Sequence, residues 1–191
     1  MRRPQASHGE SAKISAPLLS LFLAYIHRSL GTHFHAVRLA IDGLPPSVEF
    51  ERPLVVYLNH ASWWDPLMMM WLARQCYPGR PQYGPIEAEQ LKRYGFFKHL
   101  GVFGVEKGTV LGAKNFLRIS DTILAQRGSM IWMTPQGRFA DVRERPLSFA
   151  SGLAHLAKRQ PNAVFVPLAL EYAYGQERHP EIFIQIGRAH V

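Results

Sequence analysis

The chain has 191 residues, 47% hydrophobic and 19% charged, which fits one globular domain with a sizeable core and excludes a disordered chain. A single cysteine, Cys76, excludes a disulfide framework and a cysteine-based metal site and fits a reducing compartment. The net charge of +8, carried by sixteen Arg and six Lys against 14 acidic residues, favours an anionic partner: phosphate, nucleic acid or a membrane surface.

Residues 1–15 read as a loose polar tail containing Arg2 and Arg3. The apolar run from Ala16 to Ile26 follows. His27-Arg28 stands where a signal peptide needs small residues, and about eleven apolar residues fall short of the ~20 that span a bilayer. Leu18, Leu21, Phe22, Tyr25 and Ile26 recur at helical spacing, so the segment is expected to be an amphipathic helix. With Arg28 and Arg38 nearby it suits the headgroup region of a membrane; an ordinary helix packed on the domain fits the same pattern. Residues 33–41 read as a strand ended by Asp42-Gly43. His33 and His35 have metal-ligand spacing but no acidic or cysteine cluster beside them, so no metal is assigned.

Leu54-Val55-Val56-Tyr57-Leu58 is a β-branched and aromatic run that reads as a buried strand. Pro66 to Arg74 reads as a helix, with Asp65 suited to its N-cap and Pro66 to its first turn. Between them lies Asn59-His60-Ala61-Ser62-Trp63-Trp64. In one continuous helix His60 and Asp65 would not meet. In a tight turn the carboxylate folds back, accepts Nδ1–H and leaves Nε2 free to take a proton, which makes a general base near neutral pH. Spacing alone favours a plain cap and a plain loop histidine, since isolated His…Asp pairs are common by chance. Cys76, within or just after this apolar helix, reads as a packing residue rather than a nucleophile. Ser62 is close enough to His60 to be considered as one.

Further along, the pattern predicts a short strand at 82–86, a helix at 87–93 and an aromatic patch at 94–97. A helix over 111–126 follows, with Gly128 as its C′ residue. Strands at 129–133, 164–170 and 182–184 and a helix at 152–159 complete the pattern. Strands alternating with helices indicate a single α/β domain, its central sheet mixed but mostly parallel and flanked by helices. The stretch 138–146 is the most charged. It leaves the end of a central strand, where α/β sheets place ligands, so Arg138, Arg143 and Arg145 are candidate phosphate clamps. Aromatic residues are not interleaved with Lys and Arg on one polar face, which argues against nucleic acid.

His60-(four residues)-Asp65 after a hydrophobic strand, with Asn59 before it, resembles the signature of the glycerolipid acyltransferase family. Three later stretches resemble that family's other blocks, in order. They are Gly101 to Lys107, Met133-Thr134-Pro135-Gln136-Gly137-Arg138, and Val164 to Leu170 with internal Pro167. The resemblance runs from about Phe34 to the end of the chain. It implies acyl transfer from acyl-CoA or acyl-ACP, as co-substrate, to a hydroxyl of a lysophospholipid or related lipid, with no cofactor and no metal. In that reading His60 is the base oriented by Asp65, and Asn59, Lys107, Gln136, Gly137, Arg138 and Arg143 bind substrate. The same His–Asp pair acting on water, or a non-catalytic module binding anionic lipid, are the alternatives. Oxyanion donors are sought at the start of the Pro66 helix or near Gly137. The implied setting is peripheral or monotopic on the cytoplasmic face of a membrane.

Three positions depart from the family pattern. Gln136 stands for the usual Glu, Arg138 comes one place early, and Lys107 replaces an arginine. The phosphate monoester of lysophosphatidic acid therefore stays one candidate headgroup among several. The domain division is expected as a tail and amphipathic helix at 1–32 and an acyltransferase domain at 33–185, truncated at its C-terminus. Residues 186–191 form a suspected non-native tail, because Ile-Gly-Arg-Ala-His-Val is what a common sequencing adapter encodes in one frame. Finding these codons inside a longer frame at the genomic locus rejects that last expectation.

Overall fold

A computed structural model describes residues 12–43 and 45–190. The expected loose start at 1–11, with Arg2 and Arg3, and the last residue of the suspected tail, Val191, lie outside the described residues. In chain order the elements are α1 (Ala16–His33), β1 (Ala36–Leu39), β2 (Leu54–Leu58), α2 (Asp65–Cys76), β3 (Gln82–Glu87) and α3 (Ala88–Arg93). A 3-10 turn at Gly95–His99, β4 (Val102–Val105), α4 (Val110–Leu124), β5 (Met130–Met133), α5 (Gly152–Arg159), β6 (Val164–Ala173) and β7 (Glu181–Ile186) follow.

The strands form one sheet in the order β1-β7-β6-β2-β5-β3-β4. Every neighbouring pair is parallel except β6 and β7, so the expected mixed, mostly parallel α/β sheet is what the chain builds. β2 is central because all its residues are apolar and both faces are covered. Leu54, Val56 and Leu58 turn to one core with Ile26, Leu30, Met68 and Leu72, from α1 and α2. Val55 turns to the other, with Ile123, Leu124 and Leu156 from α4 and α5. The parallel strands β2, β5, β3, β4 and β6 end on the same side, where the loops 59–64 and 134–151 gather.

Several boundaries differ from the sequence pattern, each for a local reason. α1 runs on to His33, taking the start of the expected strand, because nothing breaks it there. Thr32 Oγ1 donates to Ser29 O, and Phe34 N–H still donates to Leu30 O. Residues 13–15, expected to be loose, pair with the turn before β4 through Ser15 N–H to His99 O and Gly101 N–H to Lys13 O. α1 does not bury the face that its spacing marks. Leu18, Phe22 and Ile26 pack inward, while Leu21 and Tyr25 stand outward, 70% and 56% exposed. The helix also packs Leu19 and Leu23 inward, so apolar residues surround much of its circumference and the period alone does not choose a face. No helix among the described residues is long and apolar enough to cross a membrane. Gly128, expected as the C′ residue of α4, lies farther on, since the helix ends at Leu124 with Ala125 as its C-cap. Of the suspected tail, His190 pairs with Phe165 of β6 in an isolated antiparallel bridge.

Gly101, which leads into β4, is one glycine the fold requires. Its φ is +84° and an added Cβ would lie 2.3 Å from Gln82 O, a backbone atom that cannot swing away. Gly101→Ala is expected to lower stability by about 2 kcal/mol, read as a drop in the urea midpoint with an unchanged m-value.

Candidate active site

The loop from β2 to α2 is held from both sides. At its start, Asn59 Nδ2–H donates to Leu170 O and Leu170 N–H donates to Asn59 Oδ1, both at 2.8 Å, clasping the end of β2 to β6. The backbone of the next residue is pinned by the loop after β5. His60 N–H donates to Gln136 Oε1 at 2.6 Å, and Ala140 N–H donates to His60 O at 2.8 Å. At its end, Asp65 is not the N-cap but the first residue of α2, with Trp64 as the cap. Its carboxylate is therefore free of capping and turns back on the loop.

That carboxylate is fully buried, with 0% of its surface exposed. Oδ2 lies 2.7 Å from His60 Nδ1 and 3.0 Å from Ser62 N–H, and Oδ1 accepts from the Tyr172 hydroxyl at 2.7 Å. A carboxylate only accepts, so the imidazole must donate from Nδ1, and in the neutral ring Nε2 then carries the lone pair. The His60 side chain is 17% exposed and rests on the Phe139 ring with centroids 4.3 Å apart. An imidazole held at Nδ1 by a carboxylate, which orients its other nitrogen, is the arrangement proton abstraction needs. Ser62 serves the helix start instead: its hydroxyl accepts from Trp64 N–H at 3.2 Å.

A cleft of about 470 Å³ opens one residue beyond His60, lined by Ala61, Ser62, Ala140, Asp141, Val142, Arg143, Glu171 and Tyr172. A larger trough of about 800 Å³ shares Val142 and Glu171 with it and includes Asn59 and Arg145. Asn59, His60, Asp65, Gln136 and Arg143 are thus gathered in one region. Gly137 completes the turn after β5 with φ +66°, and its N–H is already donated to Thr134 O, so this amide is not free as an oxyanion donor. Arg138 pairs with Glu144. Arg143 grips Asp141 through two nitrogens, at 2.9 and 2.8 Å, holding the Asp141 carboxyl well below its usual range. Arg145 donates to the carbonyls of Val142 and Glu144. Lys107 lies beyond the end of the edge strand β4, two strands out from β5, and donates to Glu87 at 3.0 Å.

Tyr172 was not legible as a site residue. It is an apolar-patterned residue at the end of β6, and its contact with Asp65 spans 107 positions. Burial, then the neighbouring Asp65 charge, pushes its hydroxyl pKa far up, so it stays a donor. Cys76 closes the other end of α2, and burial raises its thiol pKa, which disfavours a thiolate nucleophile. Among the described residues no group of three or more His, Cys, Asp or Glu could hold a metal ion. His33 ends α1, and His35 faces Glu177 and Glu181.

The chain is an α/β domain whose mostly parallel sheet carries a carboxylate-held histidine where its central strand ends. Compared with known families, the Acyltransferase model matches residues 38–171, well over half of the chain, and the protein belongs to that family. The crystal structure of the 1-acyl-sn-glycerophosphate (LPA) acyltransferase PlsC from Thermotoga maritima shares the fold. It aligns with a TM-score of 0.59 and 15% identity over 91% of this chain and 68% of that one. No curated protein matches the sequence.

The Asn59 clasp gives a direct test of how the loop is held. Asn59→Asp keeps the acceptor for Leu170 N–H but sets a carboxylate oxygen against Leu170 O. It is expected to cost about 1–3 kcal/mol, measured by urea unfolding, and to weaken whatever activity His60 supports.

Proposed function

We propose that this protein is an O-acyltransferase that moves a fatty acyl group from acyl-CoA or acyl-ACP to a hydroxyl of a lysophospholipid or related lipid. The observation that carries this reading is the 2.7 Å contact between His60 Nδ1 and the buried Asp65, in a chain of the Acyltransferase family. His60 Nε2 takes the proton of the acceptor hydroxyl as its oxygen attacks the thioester carbonyl. The new C–O bond forms, the C–S bond breaks, and the imidazolium returns the proton to the departing thiolate. Asp65 keeps the imidazole oriented and stabilises its charged form. No acyl-enzyme is required, consistent with a Ser62 hydroxyl engaged by Trp64 N–H and a distant Cys76 whose thiol pKa is raised by burial.

The acceptor headgroup enters the cleft beside Ser62 and Arg143, with Arg138, on the same loop as Arg143, as a further cationic contact. Asn59, Gln136 and Gly137 frame the site. Arg143 is 85% exposed and its pair with Asp141 is a surface pair, which costs little to exchange for a phosphate. The protein works at a membrane surface, on the cytoplasmic face where thioester carriers are found. The net charge of +8 attracts anionic lipid. The outward Leu21 and Tyr25 of α1, beside Phe22 and Phe96 in ring contact, supply an apolar and aromatic surface suited to the interface.

His60→Ala is expected to lower turnover at least ~100-fold while circular dichroism shows an unchanged fold. The assay is mass spectrometry of products from palmitoyl thioester and a mixed lysolipid pool. Retained turnover removes His60 from the mechanism, and thioester loss at the same rate without any lysolipid would make the enzyme a hydrolase. Cys76→Ser is expected to leave turnover unchanged in the same assay, and a loss would reopen covalent catalysis.

A further inference from the structure

We propose that Tyr172 is a positioning residue for the His60–Asp65 pair, holding one carboxylate oxygen so that the other faces the imidazole and is tempered in its pull on the ring proton. The inference rests on reading His60 as the base. Strand β6 holds the catalytic loop at two points one pleat apart. The backbone of Leu170 clasps Asn59, and two residues on, along the same face of the strand, the Tyr172 hydroxyl reaches Asp65 Oδ1 at 2.7 Å.

The tyrosine is well suited to this task. Its backbone is registered against Ile182 of β7, and its ring leans on Phe34, 5.9 Å between centroids, which in turn meets Trp64 edge-on at 5.0 Å. The ring therefore spans from the sheet to the start of α2 with little freedom. Burial keeps the hydroxyl protonated, so it donates at any working pH. Asp65 then divides its two oxygens: Oδ1 for Tyr172, Oδ2 for His60 and Ser62 N–H. Without the tyrosine the carboxylate could rotate, and both oxygens would compete for the ring.

Other charged or titratable groups approach this trio from each neighbouring element. Glu171 comes from β6, and Asp141 and Arg143 come from the loop after β5, all lining the adjacent cleft. His33 comes from α1, with its ring 5.3 Å from that of Trp64. Those four remain in place in a Tyr172→Phe variant, so any change in His60 titration there reports the lost hydroxyl.

The sign is fixed by charge. A hydrogen bond donated to Asp65 draws off part of its negative charge. Removing it strengthens the pull on the imidazolium, so His60 should hold its proton to higher pH. Phenylalanine fills the same ring volume, so the fold should survive.

The experiment is an NMR titration of His60 in wild type and Tyr172→Phe, the signal assigned by its loss in His60→Asn, together with pH profiles of kcat/KM. The His60 midpoint is expected to rise by about half a pH unit, and the acid limb of kcat/KM should move with it. A fall in kcat of about 10-fold is expected, the scale of one hydrogen bond to a charged group, with KM for both substrates unchanged. In an Asp65→Asn background the same Tyr172 change should move nothing. Coincident titrations and profiles, with or without a lower melting temperature, would reduce Tyr172 to a packing residue. A shifted His60 midpoint in a protein that transfers no acyl group would uphold the positioning role and overturn the acyltransferase reading instead.

Discussion

A carboxylate removed from water must be met by donors on both oxygens, or it is too costly to keep charged. Asp65 meets that demand with an imidazole, a backbone amide and a phenol. These come from two places far apart in the chain: the loop between β2 and α2, which supplies His60 and Ser62, and the end of β6, which supplies Tyr172. The geometry of the His60–Asp65 pair is therefore a by-product of satisfying one buried charge. Breaking any member leaves that charge short of a partner, so the loop 59–64, without regular secondary structure, is tied to the helix start and to β6.

The parallel sheet makes this possible. Because β2, β5 and β6 end on the same side, residues far apart in the chain converge on His60. Gln136 and Ala140 hold its backbone, Leu170 holds Asn59, and Phe139 backs its ring. Gln136 stands where the wider family pattern has a glutamate. Its amide oxygen accepts the His60 amide as a carboxylate oxygen would, so this departure retains the clamp while removing a charge next to the ring.

Much of this was legible because local chemistry reveals it. The β-branched run 54–58 and the apolar run around 164–170 became adjacent strands, and the 152–159 helix has the boundaries its pattern predicts. The His60–Asp65 contact was legible as a turn geometry. What escaped were interactions between distant positions and choices between equivalent faces. Tyr172 looks like any aromatic in a strand until β6 is placed beside β2. α1 carries apolar residues around much of its circumference, so only its packing on α2 decides that Leu21 and Tyr25 face outward. The charged stretch 138–146 was legible as a ligand-facing loop, but not the pairing of Arg138 with Glu144 and Arg143 with Asp141, because five charges in nine residues allow several pairings.

Underlying all of this is the claim that Asp65 fixes the imidazole in the form that can accept a proton from a bound hydroxyl. Nitrogen-15 NMR of the histidine ring in the folded protein reads that form directly. Once the ring is neutral, the His60 signals should show a proton on Nδ1 and a bare Nε2. A proton found on Nε2, with Nδ1 bare, would mean that Asp65 does not receive the ring and that His60 has no nitrogen to offer a substrate.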